Sequence, residues 1–270
     1  MPDRIRLLFI GDIIGDSGFG LVKTLLPNYT SKYRLDFIIA NAENITEGKG
    51  ILEKDGKKLL ELGIHVLTGG NHTMDKIQAH KYLNDTYNVL RPMNYPRGAY
   101  GHGYGIFDIP GTGKKITVLN LQGRVFMKGI DCPFRTFDWV YEKVKQESNI
   151  LFVDFHAAAT AEKIAFGWHA NGRASVIAGT HTHIPTADAR ILPEGTGYIT
   201  DVGMTGPYDS VIGMKKEGSI KRFIYATPQK YEVAEHDLRF SGIYCEISRD
   251  TGKCLLINKI FFPEFDLSAA

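Results

Sequence analysis

The sequence predicts an α/β protein: a four-layer α/β/β/α sandwich in which two mixed β-sheets pack face to face with helices outside. Three features carry that expectation. Short apolar runs alternate with longer amphipathic segments through the first two thirds of the chain. Two successive strand-like runs near the middle are placed as a hairpin and not as a crossover. From Gly195 onward the texture turns β-rich.

In chain order, Leu7 to Ile10 is the first apolar run, followed by a Gly- and Asp-rich turn and a helix from about Gly18 to Ser31. Phe37 to Ala40 is the second run, a helix near Lys54 to Leu62 follows, and His65 to Thr68 is the third run. Helical periodicity returns from Asp75 to Leu83. After a Gly-, Pro- and Tyr-rich loop, Gly105 to Ile109 and Ile116 to Leu121 read as the hairpin. Asp138 to Gln146 is read as helix, Ile150 to Phe155 as strand, Glu162 to His169 as a short helix and Ser175 to Ala178 as a buried strand. Gly197 to Val202, Phe240 to Ile247 and Cys254 to Phe261 complete the strands. No Pro- or Ser-rich linker, internal repeat or low-complexity segment interrupts the chain, so residues 1–270 are expected to form one domain.

Composition narrows the function classes. A chain of 270 residues can bury roughly three quarters of its unfolded surface and needs no staples. At 43% hydrophobic and 23% charged residues it is an ordinary globular sequence. A net charge of +2 supplies no global field for polyanions, so an anionic ligand must be attracted by a local site. Cys132, Cys245 and Cys254 are odd in number and nowhere in a C-x-x-C arrangement, which indicates neither a disulfide framework nor a thiolate zinc site and fits a reducing cytoplasm. The start of the chain lacks the pattern of a signal peptide, and no stretch approaches the ~20 apolar residues of a membrane span.

The chemistry is in where the apolar runs end. Leu7 to Ile10 leads into Gly11-Asp12, and Phe37 to Ala40 into Asn41-Ala42-Glu43-Asn44. His65 to Thr68 leads into Gly69-Gly70-Asn71-His72, Ile150 to Phe155 into His156, and Ser175 to Ala178 into Gly179-Thr180-His181-Thr182-His183. Loops at the carboxyl ends of strands in α/β sheets converge on one crevice while the strands stay rigid. Each piece alone has a plainer explanation: Asp12 as a turn or cap residue, Glu43-Asn44 as a solvated loop, Asn71-His72 as a helix cap. His181 and His183 are harder to dismiss, because alternate residues of an extended segment point the same way. All the plain explanations would have to hold at once, so one shared site is expected. Imidazole, carboxylate and amide donors without thiolate suit Mn, Fe, Zn or Mg better than copper. Seven donors (Asp12, Glu43, Asn44, Asn71, His156, His181 and His183) are too many for one tetrahedral zinc and about right for two divalent or trivalent ions sharing a carboxylate.

As an ordered set these segments resemble the calcineurin-like metallophosphoesterase superfamily. Gly11-Asp12-Ile13-Ile14-Gly15, Ala42-Glu43-Asn44, Thr180-His181-Thr182-His183 and Thr200-Asp201-Val202-Gly203-Met204-Thr205-Gly206-Pro207-Tyr208 make the chain more closely similar to its YmdB-like branch, over nearly the whole length. Two departures from the broad pattern, Asp12-Ile13-Ile14 for Asp-x-His and Glu43 for a bridging aspartate, are typical of that branch. The resemblance implies a metallophosphoesterase-like fold and a cytoplasmic, bacterial phosphodiesterase acting on 2′,3′-cyclic nucleotides or other small phosphodiesters; short RNA ends are a further partner compatible with the same chemistry. It implies one ion held by Asp12, Glu43, Asn44 and His183, and another by Glu43, Asn71, His156 and His181. Glu43 would bridge, a hydroxide between the ions would attack phosphorus, and His72 would assist the leaving oxygen. Thr73 follows His72 where the superfamily tends to place an acid, so Asp75 is a candidate for orienting the imidazole. The alternatives are a phosphomonoesterase or nuclease with the same centre, or a metal-binding regulatory scaffold without turnover. A homo-oligomer is compatible with either. Arg124, Phe126, Arg135, His169 and Tyr208 are within the range of nucleotide-contacting residue types, against a plainer role for each in surface pairs or core.

Overall fold

The computed structural model describes residues 4–265. Its strands and helices follow the chain as β1 (Arg4–Ile10), β2 (Asp12–Ile13), α1 (Gly15–Tyr33), β3 (Phe37–Asn41), α2 (Glu53–Glu61), β4 (Val66–Thr68) and α3 (Ala79–Asp85). Then come β5 (Tyr104–Ile109), β6 (Lys114–Gln122), α4 (Pro133–Val144), β7 (Leu151–His156), α5 (Thr160–Ala170) and β8 (Val176–Thr180). The last part holds β9 (Arg190–Ile191), β10 (Gly197–Ile199), β11 (Met204–Pro207), α6 (Lys216–Tyr225), β12 (Leu238–Ser248) and β13 (Cys254–Phe262).

One sheet runs β2-β11-β12-β1-β3-β4, with β13 also paired to β12, and the other runs β5-β6-β7-β8-β10-β9. Both are mixed: β1, β3 and β4 are parallel, as are β6, β7, β8 and β10, while β12 is antiparallel to β1 and β5 to β6. The period of two along each strand sorts side chains between layers. Leu7 and Phe9 of β1 point into a core shared with Phe37, Ile39 and Ile243 of the same sheet and with Val118, Phe152, Val176 and Ile199 of the other. Phe9 and Phe152 meet across it with ring centroids 4.9 Å apart. Leu8 and Ile10 point the other way, under Val22 and Leu26 of α1, Leu59 of α2 and Leu83 of α3. On the far face Leu119, Leu121 and Val153 pack under Phe137 and Val140 of α4 and Phe166 of α5. The strands are apolar on both faces because both faces are covered.

The expected four layers are present, with differences at the edges of elements. The helix expected from Asp75 starts at Ala79, because residues 71–75 are held in turns: the His72 N–H donates to Glu43 Oε2 (3.0 Å) and the Asp75 N–H to the His72 carbonyl (3.1 Å). The helix expected from Asp138 starts at Pro133, whose fixed φ and missing N–H suit a first turn. The strand expected over Gly197 to Val202 stops at Ile199. There, Thr200 N–H donates to Asp188 (3.1 Å) and Gly203 N–H to Asp201 (2.8 Å), side-chain acceptors that replace ladder partners. β2 pairs with β11, and β11 also with β12, both too short to show a period, while α6 buries none of its residues although Ile220, Phe223 and Ile224 fall at helical spacing.

Phe152 is fully buried between the sheets, whereas Phe223 on α6 is 80% exposed. Phe152→Ala should lower the unfolding free energy by about 3–5 kcal/mol and Phe223→Ala by no more than about 0.5. Urea denaturation of both variants checks this, and similar midpoints for the two would show that the inter-sheet layer is not the core.

Candidate metal centre

The parallel strands of both sheets end at one edge of the sandwich, and the loops leaving them meet there. Asp12 follows β1, Glu43 and Asn44 follow β3, Asn71 follows β4, His156 is the last residue of β7, and His181 and His183 follow β8. Contacts link all seven. His183 Nε2 lies 3.9 Å from Asp12 Oδ1 and 3.3 Å from Asn44 Nδ2, which is 3.2 Å from Glu43 Oε1. Glu43 Oε1 lies 3.1 Å from His156 Nε2, and the same nitrogen is 2.9 Å from Asn71 Oδ1 and 3.1 Å from His181 Nδ1. The Asn44 amide presents its nitrogen to the cluster, and a half-turn of the amide plane presents its oxygen.

These donors fit a cation. Four lone-pair atoms, on Glu43, Asn71, His156 and His181, crowd one point, where a single proton can satisfy only one contact. The Glu43, His156 and His181 donors all lie within 4.8 Å of one another. Asp12 Oδ1 is buried with no hydrogen-bond partner, an acceptor aimed into the cluster at the expense of its hydration. Backbone closeness makes room: a Cβ on Gly70 would stand 2.4 Å from both Glu43 Oε2 and His156 Nε2.

Neighbouring groups fix the ring orientations. Thr180 Oγ1 donates to Asp154 Oδ1 (2.7 Å) and so accepts from His156 Nδ1 (2.9 Å), leaving the His156 Nε2 lone pair toward the cluster. His183 Nδ1 donates to the Ile212 carbonyl (2.9 Å), which likewise frees Nε2. His72, a third exposed, places Nδ1 2.8 Å from Asp75 Oδ2, so Asp75 is the group that orients it.

The reason expected for the His181 and His183 convergence is corrected. The segment is not extended: His181 (φ 97°) and His183 (φ 67°) both occupy the left-handed region, a strained backbone for side chains with a Cβ. A buried ion pair holds it there. Lys163 Nζ donates to the Thr180 carbonyl (2.7 Å) and to Asp201 Oδ2 (2.6 Å), and Asp201 accepts from the Thr182 N–H (3.1 Å) and hydroxyl (2.7 Å).

Asp154, Thr180, Lys163 and Asp201 were not singled out individually from the sequence. Asp154 had a legible signal, a carboxylate inside the apolar strand Leu151–His156. It accepts from Asn41 Nδ2 (2.9 Å) and Thr68 Oγ1 (2.5 Å) as well as Thr180, and burial nonetheless pushes its carboxyl up to about 7. Among the nucleotide-contact candidates, Phe126 stands exposed beside the cluster. His169 instead pairs with Asp138 (2.9 Å), and Tyr208 packs on Phe261 with its hydroxyl donating to the Met204 carbonyl (3.0 Å).

Charge in the cluster is shared between Glu43 and His156. Burial works against an ionised Glu43, but His156 and the His72 N–H hold its carboxyl well below the ordinary range. Burial also works against a charged His156, yet the Glu43 carboxylate, with Asp12 and Asp154 behind it, raises the imidazole to about 9. Burial and the charge on His156 push His181 down to about 3. Asp12 is raised, by burial first, against the opposing pull of His183.

A model of the YmdB-like protein family matches residues 8–260. The chain belongs to the YmdB-like family. It is 45% identical over 260 residues to a 2′,3′-cyclic-nucleotide 2′-phosphodiesterase of Bacillus subtilis, covering 96% of this chain and 98% of that one. Among solved structures, a phosphatase from Mycoplasma pneumoniae superposes with a TM-score of 0.90 at 35% identity, covering 97% of this chain and 94% of its own. A hypothetical protein from Thermus thermophilus superposes at 0.88 with 37% identity, covering 96% and 99%. The YmdB-like expectation and the two-sheet α/β fold are thereby borne out.

In metal-free protein the two histidines set opposite limits on stability. The raised His156 contributes stability that is complete below the ordinary imidazole value of 6.5 and is lost as pH climbs toward about 9. The depressed His181 withdraws stability as pH falls from 6.5 toward about 3. The contribution of the pair should therefore peak near pH 6.5. Chemical denaturation of chelated wild type and a His156→Gln/His181→Gln double variant across pH 4–9 tests this. A stability difference that stays flat with pH would contradict it.

Proposed function

We propose that the protein is a metal-dependent phosphodiesterase that hydrolyses 2′,3′-cyclic nucleotides, opening the ring at the 2′ oxygen. The observation that carries the reading is Glu43, a buried carboxylate touching two sets of donors at once. Asp12, Asn44 and His183 would hold one divalent cation with it, and Asn71, His156 and His181 a second, the Asn44 oxygen turned inward. When bound, such a pair supplies Lewis-acid activation of water at neutral pH and neutralises charge building on phosphate oxygens. Similarity to the Bacillus subtilis phosphodiesterase over nearly all of both chains supports the substrate class.

The chain's own residues do the rest. Water oxygen adds to phosphorus and gives one of its protons to solvent, the bond from phosphorus to the 2′ oxygen breaks, and that oxygen takes up a proton in turn. His72 sits at the rim, not in the cluster, with Nδ1 turned to Asp75 and Nε2 left to deliver the proton. Its backbone N–H to Glu43 Oε2 ties the position of this acid to the centre (3.0 Å). Asp154, through Thr180, keeps His156 in the tautomer that presents Nε2. We further read residues 1–270 as one domain working in the cytoplasm. Cys132, Cys245 and Cys254 are all free, which accords with a reducing compartment. Among the described residues no helix is long and apolar enough to cross a membrane.

Chelation should abolish turnover of 2′,3′-cyclic AMP, and Mn²⁺, Fe²⁺ or Zn²⁺ should restore it. In a panel with 3′,5′-cyclic AMP, p-nitrophenyl phosphate and a short RNA, the 2′,3′-cyclic nucleotide should show the highest kcat/KM. A monoester or RNA in first place sinks the substrate assignment. His72→Asn should lower kcat by roughly 10²–10⁴ with metal content unchanged. Gly70→Ala should lower metal content itself, since its new Cβ meets Glu43 and His156. Elemental analysis beside steady-state kinetics separates the two effects, and full turnover in both variants would refute these roles.

A further inference from the structure

Two hollows open from the cluster, and Lys49, His72 and His181 line both. The one toward α6, about 430 Å³, has among the described residues, besides the imidazoles, one aromatic side chain in its lining, Tyr231, and the Arg222 guanidinium already lies over that ring, 5.1 Å from its centroid. The other, about 320 Å³, is bounded by Tyr95, Phe126 and Lys128. Both volumes fall in the ~300–1,000 Å³ range of small-molecule sites.

Phe126 is unusual twice over. The residue is 92% exposed, which forgoes the burial that a phenyl ring normally gains. Its backbone has φ 62°, in the left-handed region, where a bulky side chain is disfavoured. Nor is it a loose tip. The carboxylate of Glu162, itself largely buried, accepts the backbone N–H of Arg124 (3.0 Å) and of Val125 (3.1 Å), and the Met127 N–H returns to the Arg124 carbonyl (3.2 Å). Just before this turn Gly123 lets the chain pass so close to Glu162 and Ala157 that a Cβ would stand 2.6 Å from each. A rigid, anchored turn thus holds an aromatic face in water beside the phosphate-handling groups. Residues kept in this way against their own conformational and solvation preferences cluster at ligand sites.

We propose that Phe126 is the stacking platform for the nucleobase of the substrate, so that the base occupies the Tyr95 and Lys128 side of the centre and not the α6 side. The inference rests on the cyclic-nucleotide reading above. Stacking is sequence-tolerant, because every base has a π-face. The site should therefore accept purine and pyrimidine cyclic nucleotides alike and favour them over an ester with no base.

The test compares 2′,3′-cyclic AMP with the base-free glycerol 1,2-cyclic phosphate in wild type, Phe126→Ala, Phe126→Trp and Phe126→Gly. The preference for the nucleotide, as a ratio of kcat/KM values, should fall about 5- to 100-fold in Phe126→Ala through a raised KM, and persist in Phe126→Trp. Phe126→Gly should lose the same preference while melting no lower than wild type, because glycine accepts the left-handed backbone. An unchanged ratio in Phe126→Ala overturns the stacking role while leaving the phosphodiesterase reading intact. So does an equal loss on both esters, or a changed oligomeric mass, which would assign the ring to a protein contact. A metal-loaded wild type inert on both esters overturns the phosphodiesterase reading and this one with it.

Discussion

A carboxylate sealed from water must sit beside positive charge or give up its own, and Glu43 is sealed. Without a cation, the charge beside it is the proton on His156, held far above the usual imidazole range by that same carboxylate. The arrangement is a closed electrostatic unit that a divalent ion can enter by displacing the proton, since imidazole binds metal through the lone pair that the proton occupies. What surrounds it follows from this requirement. The rings must be aimed, so Thr180 and Ile212 take up the Nδ1 hydrogens of His156 and His183. The backbone must come close, so Gly70 lies where a side chain would intrude.

The two sheets divide the work of building this unit. The β1–β3–β4 sheet delivers the oxygen-rich donors Asp12, Glu43, Asn44 and Asn71, and the β7–β8 part of the other delivers the three imidazoles. Neither sheet alone encloses a centre, so the packing of Phe9 on Phe152 in the layer between them also fixes the distance across the site. Asp154 reinforces the join. It sits on β7 but accepts from Asn41 and Thr68 of the opposite sheet, while Thr180 of its neighbour β8 links it to His156. Stability and site geometry are therefore carried by the same inter-sheet contacts.

How much of this was legible in the sequence depended on whether the cause was local. β1, β3, β4, β7 and β8 are mostly apolar on both faces, and the polar residues just past their ends stand out against that background, so Asp12, Glu43, Asn71, His156 and His181 could be singled out as donors without coordinates. β2 and β11 exist only because two distant segments pair, Asp12 with Met204 and Ile13 with Thr205, and no short-range pattern encodes that. α6 does carry an apolar stripe, Ile220, Phe223 and Ile224 at i, i+3 and i+4, but the fold leaves it exposed, so the stripe marks no core position. The His181 and His183 geometry was anticipated for the wrong reason: strand alternation would bring the rings together cheaply, whereas the fold uses two left-handed residues. The restraint that makes this tolerable, Lys163 with Asp201, joins residues 38 apart in sequence, beyond any motif window.

That restraint shows where the molecule spends stability. Left-handed conformations at non-glycine residues disfavour the native state by roughly 1–2 kcal/mol each; Arg34, Glu47, Ile212, Ala226 and Asp237 also adopt them, and His181, His183 and Phe126 do so around one centre. Each of these three is pinned by a buried charged group reaching in from α5 or the strand region behind it: Lys163 and Asp201 for the histidines, Glu162 for the Phe126 turn. Lys163 and Glu162 are neighbours on the first turns of α5, so one helix clamps both the donor loop and the aromatic turn against the cluster. One helix serving two strained loops ties their placement to each other, and it is that relation, more than either loop alone, that the proposed substrate, reaching from the donor cluster to the Phe126 ring, would require.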